Sequence, residues 1–204
     1  ALLTTVDAAT VAASFDVATS VASIVSVASA TPAIAGSTVA LTTETDSLAG
    51  SAGADIFNGV VQAAGATGTT AAPGDAISGG DDVDTLSISV AGTLVADYTI
   101  AALTTSSVEK VLLSNFETST LNNIVDTSLM TGITHAGLTA SAATGDTQFT
   151  NLKNLVEGEM SNGSGDLTLA YGTAVVAGTA DSQTLNVSNI SAGTFTAAGV
   201  ETVN

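Results

Sequence analysis

From Gly36 onward, apolar residues fall on alternate positions in short runs. Leu86, Ile88 and Val90 alternate with Ser87 and Ser89, and Val111 and Leu113 sit in a second such run. Leu167 and Leu169 flank Thr168, and Leu185 and Val187 flank Asn186. Successive side chains of a strand point to opposite faces, so each run predicts a half-buried strand. Glycine-bearing stretches separate them: Ala91-Gly92-Thr93, Gly158, Asn162-Gly163-Ser164-Gly165, Gly172, Gly178 and Gly193. The first 35 residues read differently. Phe15, Ala18, Ala22 and Val25 lie at helical spacing, Val21, Ile24 and Ala28 continue the stripe, and neither Gly nor Pro interrupts Asp7 to Ala30. Asp7 can cap a helix there, and Thr31-Pro32 ends it, because the residue before proline avoids helical geometry. The many β-branched residues pull toward strand. The expectation is an N-terminal helix or linker over 1–36, then a β domain over 37–204.

A short phrase recurs within the β region. Val108-Glu109-Lys110-Val111 returns as Val200-Glu201-Thr202-Val203, and Leu155-Val156-Glu157 and Asn115-Phe116-Glu117 read as decayed copies. Recurring strand units without a strict period suit an irregular β-solenoid or a layered sheet. Composition agrees. Hydrophobic residues make up 45% of the 204 residues but aromatics only 3%, so the core must be built of Ala, Val, Leu and Ile, which let backbones stack closely.

Charge narrows the partners. The net charge is −17 and the basic residues are Lys110 and Lys153 alone, too few to displace counterions from phosphates. Nucleic acid is therefore excluded as a partner, and an anionic membrane surface is disfavoured. There is no cysteine, hence no disulfide, no thiolate zinc site and no cysteine nucleophile. No apolar run reaches the ~18 residues of a transmembrane helix, and no basic segment follows Ala1 as a secretory signal would require. The chain opens without Met and stops inside a strand-like pattern, which reads as a piece of a longer polypeptide.

The densest chemistry lies between Glu44 and Asp84, where seven carboxylates occur among glycines without one basic residue. Such a segment carries both self-repulsion and the entropy cost of ordering glycine. A hard divalent cation offsets both, taking carboxylate and carbonyl oxygens together. Calcium suits this better than magnesium, which keeps its waters, or zinc, which prefers Cys and His. Gly79-Gly80-Asp81-Asp82-Val83-Asp84-Thr85-Leu86-Ser87 follows the calcium nonapeptide G-G-x-G-x-D-x-U-x within one residue of frame, with Leu86 as the large apolar U. Gly50-Ser51-Ala52-Gly53-Ala54-Asp55-Ile56-Phe57-Asn58 is a second copy lacking a leading glycine. Candidate metal-binding residues are Asp46, Gly50, Gly53, Asp55, Asp75, Gly79, Gly80, Asp81, Asp82 and Asp84.

The stretch from Leu41 through Gly50, then Gly53-Ala54-Asp55-Ile56-Phe57, Gly74 to Gly80 and Asp84-Thr85-Leu86, resembles the start of the lattice domain of RTX-type surface-layer proteins, the crystalline coats of Caulobacter and its relatives. The match covers about a quarter of the chain. It departs at Asp82, where glycine is usual, and at Ala52, where the first repeat is degenerate. The resemblance implies an extracellular, cell-surface location reached by type I secretion and folding on contact with calcium. It also implies self-assembly into a two-dimensional homo-oligomeric lattice, anchored to outer-membrane lipopolysaccharide by a helical N-terminal domain. Residues 1–35 would be the tail of such a domain. The function expected is structural, not enzymatic. Two alternatives stay open: an adhesin stalk module, or a calcium β-roll appended to a secreted enzyme.

Other groups carry less. His135 is the one imidazole and has no nucleophile motif near it, so a turn or lattice contact is expected. Glu157 and Glu159 flank Gly158 and could pair for glycoside cleavage, but an exposed turn at a strand end accounts for them. Asp166 and Asp181 are candidates for a further calcium site. Asn162-Gly163-Ser164, Asn186-Val187-Ser188 and Asn189-Ile190-Ser191 match the glycosylation pattern, as a Ser-rich and Thr-rich chain does by chance.

Overall fold

A computed structural model describes residues 34–62, 67–100 and 102–204. The helix expected over 7–30 lies outside the described residues. Those described form strands and turns with no helix, stacked as a parallel β-solenoid of about six turns. Each turn is called a rung below.

The main sheet runs the length of the solenoid. Its strands pair in the order β1 (Thr38–Ala40), β3 (Ile56–Gln62), β5 (Thr85–Gly92), β8 (Lys110–Glu117), β10 (His135–Ser141), β12 (Glu157–Gly163) and β15 (Leu185–Ile190), all parallel. A second side starts as a sheet of β2 (Ser47–Ala49), β4 (Ala76–Ser78) and β7 (Thr104–Ser106). A third is built of β6 (Tyr98–Ile100), β9 (Asn123–Asp126), β11 (Thr147–Leu152), β13 (Leu167–Tyr171) and β16 (Phe195–Thr196). The pair β14 (Ser182–Gln183) and β17 (Thr202–Val203) closes the last rungs.

In-register stacking turns the alternation of the sequence into interior columns. Phe57, Leu86, Val111, Ala136 and Gly158 stack in one, and Ile88, Leu113, Leu138 and Met160 in the next. All but Gly158 are buried apolar side chains of the core. Fully burying each Leu, Ile or Phe contributes roughly 1.5–3 kcal/mol against the chain entropy. The first column narrows from Phe to Gly because the facing sheet grows bulkier with Phe149, Leu169 and Phe195. This corrects the reading of Gly158 as a separator. It is the buried second residue of β12, and a Cβ there would lie 3.3 Å from the Phe195 ring and 3.1 Å from Leu185. Glu157 and Glu159 accordingly sit in a strand, not a turn. The alternation over Leu185 and Val187 does form a strand, but Leu185 is only half-buried and Val187 is exposed, because β15 is the last strand of its sheet.

Candidate functional site

The acids of the Glu44–Asp84 segment gather along the corners where one rung passes to the next. There the chain turns, and the N–H of the residue just before a strand goes to a carboxylate in place of a ladder carbonyl. Asp55 and Asp84 occupy equivalent positions on successive rungs, immediately before β3 and β5. The Asp84 carboxylate accepts the Asp55 N–H through Oδ1 at 2.7 Å, and the Thr85 N–H returns to the Asp55 carbonyl at 2.9 Å. One rung earlier, Asp55 accepts the Ser37 N–H at 2.5 Å and the Ile56 N–H returns to the Ser37 carbonyl at 2.8 Å. One rung later, Glu109 accepts the Asp84 N–H at 2.9 Å. At the next corner Asp75 repeats the pattern: Oδ1 accepts the Asp46 N–H at 2.9 Å and Oδ2 the Ala72 N–H at 2.8 Å.

Electrostatics separate these acids. Asp55 is buried, yet its carboxyl is held down to about 2, first by the Ser37 hydroxyl, then by the Ser51 and Ser37 amides. Asp84 is completely buried and is pushed up from the ordinary carboxylate range. Desolvation is the main cause, with the charges of Asp55, Glu109 and Asp82 adding to it, and the Asp55 amide opposes it only in part. Its Oδ2 has no hydrogen-bond partner.

The glycines let the backbone close over these oxygens. A Cβ on Gly79 would fall 1.7 Å from the Ser107 carbonyl oxygen and 2.2 Å from Asp84 Oδ2. One on Gly50 would fall 1.9 Å from the Gly79 carbonyl oxygen and 2.4 Å from Asp55 Oδ2. Gly53 packs likewise on the Ile34 carbonyl, and Gly80 on that of Ser51. Asp81 and Asp82 are exposed on the turn before β5. Asp82 holds a left-handed φ of 65°, a conformation that glycine adopts without steric cost.

Of the residues chosen from the sequence, Asp46, Asp55, Asp75 and Asp84 accept backbone N–H groups, the glycines pack against carbonyls, and Asp81 and Asp82 stand exposed. Among the described residues, no three His, Asp or Glu side chains are grouped as a metal site requires. Asp46 spends both oxygens on Thr42, Asp55 on Ser37 and Ser51, and Asp75 on Asp46 and Ala72. Asp84 Oδ2 alone among these aspartate oxygens is buried without a hydrogen-bond partner, and it lies with the Ser107 carbonyl beside Gly79.

The remaining candidates resolve individually. Asp166 accepts the Thr194 N–H at 2.6 Å, and the Asp181 N–H is taken by Glu201 at 2.9 Å. Glu201 thus repeats the role of Glu109, which explains the recurring Val-Glu-x-Val phrase; Glu117 and Glu157 do not share it. His135 begins β10 instead of lying in a turn. It is buried between Glu159, at 3.0 Å from Nε2, and Glu157, at 3.7 Å from Nδ1. The two carboxylates lie on opposite ring nitrogens, so no single ion or reacting atom is shared by all three. Gly137 makes the Glu159 contact possible, since a Cβ there would sit 2.7 Å from that of Glu159. Sequence patterning gave no sign of this cluster, because its members are neighbours only across rungs. A cavity of about 150 Å³ beside Met130, Leu152 and Lys153 is smaller than the roughly 300–1,000 Å³ of ligand pockets. No described helix is long and apolar enough to cross a membrane. Neither a family model, a curated protein nor a solved structure matches the chain.

Proposed function

We propose that the chain is a structural module of a secreted surface-layer lattice, with calcium acting at the turn from Gly79 to Asp84. The observation that carries the reading is the main sheet. Seven parallel strands present one continuous outer face, on which Ser87, Ser89, Ser114, Thr139 and Ser188 carry short side chains. A face of this kind packs against a neighbouring copy over its whole length, and solenoids commonly use such faces as extended contact surfaces. Exposed Ile56 and Phe116 add apolar contacts on the same side.

Calcium belongs in this reading because of Asp84. Its buried, unpartnered Oδ2 and the Ser107 carbonyl both lie against Gly79, and Asp82 adds to the negative charge that acts on Asp84. When bound, calcium supplies positive charge and takes carboxylate and carbonyl oxygens together. Asp84 Oδ2 and the Ser107 carbonyl, both beside Gly79, would hold it, with Asp82 adding negative charge. An extracellular module with so few ligands corresponds to a Kd of roughly 10⁻⁴–10⁻³ M.

Negative-stain microscopy tests the proposal. Ordered sheets should form on adding calcium and disperse in chelator. Particles that stay monomeric in calcium would reject the lattice and favour an adhesin stalk. Sheets that persist in chelator would reject the calcium role.

A further inference from the structure

The contact between Asp55 and Asp84 is one case of a device repeated along the whole solenoid. In each, an acid stands immediately before the first residue of a strand. The N–H of that first residue donates to the carbonyl of the matching residue on a neighbouring rung, and the N–H of that matching residue donates back to the acid. The pairs are Asp55 with Ser37, Asp75 with Asp46, Asp84 with Asp55, and Glu109 with Asp84. Asp97 with Asn122, Asp146 with Asp166, Asp166 with Thr194, and Glu201 with Asp181 complete the set. Both bonds close in all of them. For Glu201, Thr202 N–H to the Asp181 carbonyl is 3.0 Å; for Asp97, Tyr98 N–H to the Asn122 carbonyl is 3.0 Å.

We propose that an acid placed directly before a strand is the rung-start clamp of this solenoid, and that these clamps hold the rungs in register without a divalent cation. The turn at each strand start strips one N–H of its ladder partner, and a buried N–H left unpaired is costly. The carboxylate supplies a charged acceptor, which makes a shorter and stronger bond than a neutral one. The clamp also selects register. Shifting one strand by a residue would carry the acid away from its N–H and turn every apolar side chain to the wrong face.

The direction of each clamp is legible in the sequence. Alternate residues of a parallel strand direct their backbone groups to opposite neighbours. Where the first strand residue faces outward and the second inward, as in Asp55-Ile56-Phe57, Asp75-Ala76-Ile77, Asp84-Thr85-Leu86 and Glu109-Lys110-Val111, the clamp reaches the preceding rung. Where the first residue faces inward, as in Asp146-Thr147 and Asp166-Leu167, it reaches the following rung. The acid-x-apolar spacing that resembles a calcium repeat thus has a second explanation in backbone pairing.

The inference does not rest on the lattice reading, and one preparation separates them. Circular dichroism of the full chain in chelator at neutral pH should show the β signal and a cooperative melt, even where calcium-dependent sheets are lost. A β signal that forms only on adding calcium would overturn the inference and leave the lattice proposal standing. Glu201→Ala and Glu201→Gln at the last rung provide a second reading that spares the rest of the fold. The alanine variant should speed hydrogen exchange of the Asp181 amide roughly tenfold, as loss of a bond to a charged acceptor implies, and glutamine should recover part of it. Equal exchange in wild type and Glu201→Ala would overturn the clamp.

Discussion

The Glu109 carboxylate accepts the backbone N–H of Asp84 at 2.9 Å, and the N–H of Lys110 returns to the Asp84 carbonyl at 3.0 Å. Removing the acceptor strands a donor at the corner of the main sheet. Glu109→Ala should therefore lower stability by about 2 kcal/mol in urea titrations. Glu109→Gln keeps an oxygen in place and removes one of the charges pressing on Asp84, so its loss should be less than half as large. Equal losses for the two substitutions would show that the acceptor does not matter.

Acid acts on the two inner aspartates in opposite senses. Asp55 is held down to about 2, below its unfolded value near 3.8, so its contribution is present above that unfolded value and lost as pH falls toward 2. Asp84 is raised, so its folded form takes up a proton more readily than the unfolded chain. Its contribution is full below the unfolded value and fades as pH rises through the folded one. Asp84→Asn keeps an oxygen to accept the Asp55 N–H and removes a charge that burial disfavours, so it should raise the melting temperature at neutral pH and flatten the profile on that side. Asp55→Asn should lower it and flatten the acid limb. Melts across the pH range check both, and a Tm for Asp84→Asn below wild type at pH 7 would contradict the assignment.

Asp82 sits at a φ of 65° on an exposed turn. Left-handed backbone costs a residue with a Cβ roughly 1–2 kcal/mol, less for Asp and Asn. Asp82→Gly should leave the apo protein as stable or slightly more so, and Asp82→Ala should destabilise it by about 1 kcal/mol. Both should raise the calcium concentration needed for sheet formation. An Asp82→Ala variant as stable as wild type would show that the turn relaxes.

Gly79 has no room for a side chain. Alanine there would meet the Ser107 carbonyl and the Asp84 carboxylate at distances far inside contact, both fixed by the sheet. Gly79→Ala should cost about 3 kcal/mol or more. Gly158→Ala, whose closest neighbours are side-chain tips at 3.1 and 3.3 Å, should cost clearly less. A reversal of that order in denaturant titrations would contradict the close stacking of the corner.

The long strands of the main sheet were legible because Leu86, Ile88 and Val90 advertise their face by alternation, and all three are buried. The three-residue strands β2, β4 and β7 were not, because three residues are too few to show a period. Gly158 looked like punctuation, yet its cause lies on the opposite wall, in Phe195. At the corners the sequence disclosed the acids and glycines and their spacing. It did not disclose their partners, since Asp55 and Asp84 are 29 residues apart and meet only through register. The same limit hid His135 and its glutamates, 22 and 24 residues away on the next rung.

Amide hydrogen exchange, resolved by residue in chelator at neutral pH, tests the clamp account most directly. The Ser37, Asp46, Asp55, Asp84 and Asp181 amides lie at strand starts, where fraying would leave them fast. The account predicts protection comparable to the middle of β5 for Asp55 and Asp84, and measurable protection for the other three. Exchange at the rate of an unstructured chain for Asp55 and Asp84, with β5 itself protected, would show that carboxylates do not hold these rungs together.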